Sequence, residues 1–174
     1  MSAGSLQRYR ANLANSVVFE RLRPAELDLI IASCRLVDAA AGQMLLAEGH
    51  KGEGLYIVLE GEIEVFLPEH VAGGMKRRPS RIHLNRLGPG RCFGEYGVID
   101  DQPSSASAQA VTPSRLCLLT RADFRGIAEE HDRIGKTVYA NLLRFLIRRL
   151  RSKDKELDLI LLTEESVPKR DEAG

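Results

Sequence analysis

Leu55-Tyr-Ile-Val-Leu-Glu-Gly-Glu-Ile-Glu-Val65 is the stretch on which the fold reading turns. Two short apolar runs, Leu55–Glu60 and Glu62–Leu67, flank Gly61. In the second, Ile63, Val65 and Leu67 alternate with Glu62 and Glu64. That is the period of two expected of a strand with one wet face. A glycine between two such runs predicts a tight turn.

The same pattern extends outward. From about residue 36, Gly42, Gly49, Gly52, Gly54, Gly61, Gly73, Gly74, Gly88, Gly90, Gly94 and Gly97 punctuate short apolar segments. Ile82–Leu87, Ala106–Val111 and Arg115–Leu119 are further strand candidates, and His70 to Ser80 reads as an exposed hairpin loop. Many short, regularly spaced strands predict an antiparallel barrel or jelly roll.

Helices are expected at both ends. Pro24 sits where a first-turn proline loses no needed hydrogen bond. Leu27, Ile30, Ile31 and Cys34 then share one helical face, after a hydrophobic lead-in of Val18, Phe19 and Leu22. Thr120-Arg-Ala-Asp123 reads as a capping-box-like helix start, with Phe124, Ile127 and Ala128 facing the core. A long helical stretch follows from about Asp132 to Leu162, with no glycine after Gly135 and no proline until Pro168. The expected fold class is α+β, mainly β: an antiparallel β-roll or jelly roll flanked by N-terminal helices and a long C-terminal helix. The expected organisation is an N-terminal helical extension (1–16), the β-roll (17–131), a dimerisation-type helix (132–162) and a polar tail (163–174).

The 174 residues suffice for one domain with a hydrophobic core plus an extension. A net charge of +1 gives no general electrostatic drive toward nucleic acid or membrane. Cys34, Cys92 and Cys117 are far apart and form no CxxC pair, which fits reduced thiols rather than a disulfide frame or a metal site. Met1–Arg10 has no apolar leader region, and no apolar run approaches the roughly 20 residues a membrane-spanning helix needs. A soluble, cytoplasmic protein is expected.

Glu48-Gly-His-Lys-Gly-Glu-Gly-Leu-Tyr-Ile-Val-Leu-Glu-Gly-Glu-Ile-Glu-Val65 resembles the first half of the cyclic-nucleotide-binding β-roll. Leu87-Gly-Pro-Gly-Arg-Cys-Phe-Gly-Glu95 resembles the entry to that family's phosphate-binding cassette. The likeness covers about residues 17 to 150, with several glycines in order and strand patterns between them. The family includes catabolite-activator-type regulators, regulatory subunits of cyclic-nucleotide-dependent kinases and gated channels. The resemblance implies N-terminal helices, an eight-stranded β-roll with a short cassette helix, and two C-terminal helices.

It also assigns roles within Phe93-Gly-Glu-Tyr-Gly-Val-Ile-Asp-Asp-Gln-Pro-Ser-Ser-Ala-Ser107. Gly94 matches the glycine that lets the backbone approach a ligand closely. Glu95 matches the carboxylate that accepts the ribose 2′-hydroxyl. Tyr96 and Gly97 match the residues that open the short helix, Pro103 fits, and Ser105 and Ser107 match small polar positions facing phosphate oxygens. The departure is Ser104, which stands where the family has the arginine that neutralises the cyclic phosphate. An Arg–phosphate pair is charge-assisted and often bidentate, and serine cannot supply the charge. Losing such a bond, worth about 1.5–3 kcal/mol, weakens binding by roughly tenfold to over a hundredfold. Asp100 and Asp101 add negative charge nearby, while Arg91 or Arg115 could substitute from another strand. The implied ligand is cyclic AMP or cyclic GMP, bound with help from backbone amides, Gly94, Glu95, Tyr96, Gly97, Ser104, Ser105 and Ser107; no other cofactor is expected. Alternatively the pocket is vestigial and the fold serves as a scaffold.

In the long helix Leu143, Leu150 and Leu157 are seven apart, and Tyr139, Leu146 and Ile160 roughly fill a second seam. Arg144, Arg148, Arg149, Arg151, Lys153 and Lys155 crowd the other faces, and Lys153 and Asp154 interrupt the seam. The pattern predicts a homodimer packed through this helix, as in catabolite-activator-type proteins, against the alternative of a helix folded back on its own β-roll. About a dozen polar residues follow Leu162, too few for a helix-turn-helix, so no DNA-binding module is expected.

His50, His70, His83 and His131 lack ligand spacing, so no metal site is expected. Glu95, Asp100 and Asp101 have no accompanying histidine or nucleophile, so no catalytic residue is assigned. Lys76-Arg-Arg-Pro-Ser-Arg81 resembles a basophilic kinase site at Ser80, but such short motifs occur often by chance and a solvated loop is the safer reading. The expected function is a non-enzymatic sensor that couples ligand in the cassette to the position of the C-terminal helix. The alternatives are an interaction scaffold with a degenerate pocket, or the regulatory component of a larger transporter or enzyme assembly; the effector protein is unknown.

Overall fold

The computed structural model describes residues 6–70, 77–100 and 102–165. Asp101, Gly73, Gly74, the tip of the 70–80 loop and most of the expected polar tail lie outside the described residues.

Among the described residues, eight strands form two antiparallel four-stranded sheets, as the fold class predicts. They are β1 (Arg35–Ala39), β2 (Met44–Leu46), β3 (Gly54–Glu60), β4 (Ile63–Leu67), β5 (Ile82–Leu87), β6 (Cys92–Phe93), β7 (Ser107–Ala110) and β8 (Ser114–Thr120). One sheet runs β1-β8-β3-β6 and the other β2-β7-β4-β5. Gly61 has φ +86°, so the turn between β3 and β4 falls where the glycine predicted it. Strands β1, β2 and β6 carry too little periodicity of their own to be singled out in the sequence.

Strand β3 is buried on both faces, and its alternation sorts two cores. Tyr56 and Val58 point between the sheets with Ile63, Phe93, Leu116 and Leu118. Leu55, Ile57 and Leu59 face the helices with Cys117 and Leu119. In β4 the simple alternation fails: Ile63 and Phe66 are buried, while Val65 and Leu67 are half-buried. A register irregularity between Val65 and Phe66, against β5, shifts the phase by one residue and turns Phe66 inward.

The helices are α1 (Arg10–Ala14), α2 (Pro24–Ser33), α3 (Tyr96–Ile99), α4 (Arg121–Glu130) and α5 (Asp132–Glu165). Pro24 is the first residue of α2, and Leu27, Ile30 and Ile31 are its buried face. The Thr120 hydroxyl accepts from the Asp123 amide at 3.1 Å, capping α4 as expected. The N-terminal segment contributes Leu6, Tyr9 and Leu13 to the helix-side core.

Helix α5 has two parts. Ile134, Val138 and Leu142 are buried in the helix-side core, and Tyr139 packs edge-on against Phe124 of α4 at 5.0 Å. Asn141 is buried and donates to the carbonyls of Val18 (3.0 Å) and Glu20 (2.7 Å), pinning the chain ahead of α2. From Leu143 onward the helix carries an open stripe: Leu143, Leu150 and Leu157 are 59%, 62% and 57% exposed, and Leu159 to Leu162 are exposed as well. The N-terminal half of this helix thus folds back on its own domain, and the remainder leaves its apolar residues exposed.

Candidate functional site

A cleft of about 1180 Å³ opens between the segment after β6, the β4–β5 hairpin, the N-terminal segment and the middle of α5. Gly94, Glu95, Tyr96, Gly97, Ser104, Ser105 and Ser107 all line it. Residues that span a loop in sequence thus converge on one concave surface.

The floor is built by β3 and β6. Tyr56 pairs with Phe93 in the ladder, and their rings stack at 4.9 Å. The next residue, Gly94, has φ +77°, and a Cβ there would lie 2.4 Å from the Gly54 carbonyl oxygen. Both constraints admit only glycine without strain. That close approach turns the chain so that Glu95 leads into α3.

Glu95 is buried, at 4% exposure, beneath the cleft. Burial pushes its carboxyl upward from the usual range, and Arg149 beside it pulls the other way without cancelling the effect. Arg149 Nη1 donates to Glu95 Oε1, across 54 positions in sequence. Sequence reasoning placed Arg149 only on a solvated helix face. The local helical period has nothing that connects it to the cassette; the signal that could have hinted at it is the Arg148-Arg149 pair at the point where the helix must cross the cassette.

The serines differ in availability. Ser105 is exposed and Ser104 is half-buried. The Ser104 backbone is clamped: its amide donates to His50 O at 2.9 Å, and its carbonyl accepts from Gly49 at 2.8 Å. The Ser107 hydroxyl is buried and accepts the Glu48 amide at 3.0 Å, which secures the β2–β3 loop, and its own hydrogen remains a donor toward the cleft it lines. Glu48 is further held by Arg78, whose guanidinium donates to both carboxylate oxygens at 2.9 and 2.7 Å. Tyr96 is 42% exposed at the rim. Arg121, first residue of α4, donates to the carbonyl of Gly97 and ties the cassette helix to the C-terminal helices.

Of the two arginines considered as substitutes for the cassette arginine, Arg91 lines the cleft. Arg115 does not: it pairs with Asp38 at 2.9 Å and Glu60 at 3.7 Å, on the far strands of the first sheet. The cleft nevertheless holds five cations, Arg86, Arg91, Arg148, Arg149 and Lys153, against the carboxylates Glu20, Glu95 and Glu156. Three of those cations come from α5, two of them paired with Glu95 and Glu156, while the cassette itself is uncharged at residue 104. Val65, Leu84 and Phe145 add apolar wall. No group of His, Cys, Asp and Glu among the described residues could hold a metal ion, and no described helix is long and apolar enough to cross a membrane. The three cysteines are buried, and burial pushes the Cys92 thiol up to about 12.

Two four-stranded antiparallel sheets with a cleft bordered by the middle of the C-terminal helix define a β-roll domain. The family model of the cyclic nucleotide-binding domain matches residues 36–131, and the chain belongs to that family. It is 33% identical over 152 residues to the cyclic AMP receptor protein of Thermus thermophilus, covering 87% of this chain and 65% of the relative. The crystal structure of the Thermus thermophilus catabolite activator protein matches with a TM-score of 0.69 at 34% identity, over 83% of this chain and 63% of that one. A cyclic nucleotide-binding domain from Methylobacillus flagellatus shares the fold, with a TM-score of 0.75 at 23% identity over 95% of this chain and 88% of that one. The chain spans less than two thirds of the length of the first two.

Proposed function

We propose that this protein is a non-catalytic cyclic-nucleotide sensor in which occupancy of the cleft sets the position of α5. Glu95 accepts the ribose hydroxyl. Ser104, Ser105 and backbone amides of the cassette meet the phosphate, and the base lies toward Val65, Leu84 and Phe145. The observation that carries this reading is that Glu95, deep in the cleft, is held directly by Arg149 of α5. A ligand hydroxyl that donates to Glu95 shares that carboxylate with Arg149, so it alters the balance of the contact that holds α5. Because it changes that contact, it has different affinity for the two helix positions, as a switch requires. The similarity to a cyclic AMP receptor protein supports cyclic AMP as the first ligand to try, with cyclic GMP beside it.

The exposed half of α5 carries the signal onward. Leu143, Leu150 and Leu157 form one stripe at heptad spacing, suited to a second copy of the same helix. Calorimetric titration of the purified chain with cyclic AMP and cyclic GMP tests the sensor. Saturable heat is expected, and none at millimolar ligand would sink it. The neutral Ser104 favours a second reading, an interaction module with an unused pocket. Under that reading Glu95→Ala leaves partner binding unchanged, whereas under the sensor reading it removes the ligand's influence on the partner.

A further inference from the structure

Resting on that reading of the cleft, we propose that Arg149 of α5 is the cation that meets the ligand's phosphate, in place of the one the cassette lacks at Ser104. A cyclic phosphate entering this cleft approaches the buried Glu95, and without a cation close by the two negative charges repel. Ser104 offers a hydroxyl and no charge. Among the cleft's cations, Arg86 is drawn toward Glu62 at 3.4 Å, Lys153 is held by Glu156 at 2.6 Å, and Arg91 and Arg148 line the cleft without a bond to Glu95. Arg149 instead points inward, onto Glu95 itself.

The guanidinium suits the part. It has five donors in a planar fork, so one edge can stay on a carboxylate while another takes phosphate oxygens. The Arg149 side chain is 46% exposed and the Glu95 side chain 5%, so the arginine reaches from the open side of the cleft while its partner lies below. A cyclic nucleotide satisfies both halves of this pair at once: its hydroxyl donates to Glu95 and its phosphate accepts from Arg149. The consequence is mechanical. With an arginine in the cassette the anion would be held by the β-roll. Here the anion's charge acts on α5, at the residue immediately before Leu150 of the exposed stripe.

The test is titration of the full chain and of R149Q, R149K, S104R and the R149Q/S104R double variant with cyclic AMP, cyclic GMP, adenosine and guanosine. The uncharged nucleosides keep the ribose and base, so the ratio of cyclic-nucleotide to nucleoside affinity isolates the phosphate and cancels any competition for Glu95. R149Q is expected to lower that ratio by about tenfold or more, R149K to lower it less, and S104R to restore it in the R149Q background. Thermal melts of each variant confirm folding, and the charge-keeping R149K decides the question if R149Q melts early. Binding by the parent chain whose ratio R149Q leaves unchanged overturns the assignment of Arg149 alone. Absence of binding by the parent chain and by S104R alike overturns the cyclic-nucleotide reading and this assignment with it.

Discussion

Arg149 on the projecting helix donates to the carboxylate of Glu95, whose side chain is 5% exposed, so the cassette and α5 share one charge pair. This has a pH signature. Burial holds the folded-state pKa of Glu95 above its ordinary 4.5, even with Arg149 opposing. A raised acid stabilises the fold most below its ordinary value, and that contribution is lost as pH rises through the raised one. Removing Arg149 raises it further, so R149Q matches the parent near pH 4, roughly, and falls behind as Glu95 ionises. Because Arg149 is half exposed, the deficit at neutral pH is on the order of 1–2 kcal/mol, between the values for surface and buried pairs. Thermal melts across the acid-to-neutral range check it; a deficit that is flat with pH would refute the role given to Glu95 ionisation.

Gly94 and Gly90 separate conformational strain from collision. Both have positive φ, +77° and +83°, but a Cβ meets the Gly54 carbonyl at Gly94 and nothing within 4 Å at Gly90. Gly90→Ala pays only the left-handed backbone cost, about 1–2 kcal/mol. Gly94→Ala adds the displacement of β3, for a total of roughly 2–4 kcal/mol. Urea unfolding of the two variants measures the difference.

Asn141 is expected to set the stability of the loop ahead of α2. Asn141→Ala leaves the Val18 and Glu20 carbonyls without their donor, at a cost of about 1–3 kcal/mol. Hydrogen exchange should quicken around residues 16–22 well before the β-roll amides respond. Uniform quickening throughout the domain would show that the bond does not act locally.

The two halves of α5 should separate stability from self-association. Leu142→Ala, in the core, costs about 2–5 kcal/mol. Leu150→Glu, at an exposed site, costs within about 0.5 kcal/mol yet abolishes dimerisation if the stripe is the contact. Sedimentation of parent and variant reads the second effect. A parent that sediments as a monomer at all concentrations counts against the dimer.

Much of this was legible locally. The glycine between Glu60 and Glu62, the alternation around it and the 3.6-residue spacing of Leu27, Ile30 and Ile31 each report which way neighbouring side chains face, and a backbone period needs no distant partner. The Thr120 cap was readable for the same reason, since donor and acceptor lie three residues apart. The β4 irregularity was not, because the phase shift arises in pairing with β5 across a loop.

Residue patterning alone predicts a glycine-punctuated β-roll with flanking helices, and the family resemblance adds a cassette around Gly94 and Glu95 with a neutral residue at Ser104. Packing alone brings the Glu48 amide onto the Ser107 hydroxyl oxygen, divides α5 into a core half and an open stripe, and sets Arg149 over Glu95. The physical reason is one of range. Side-chain periodicity is set by the backbone within a few residues, whereas a charge pair spanning 54 positions exists only after two elements have been packed against each other.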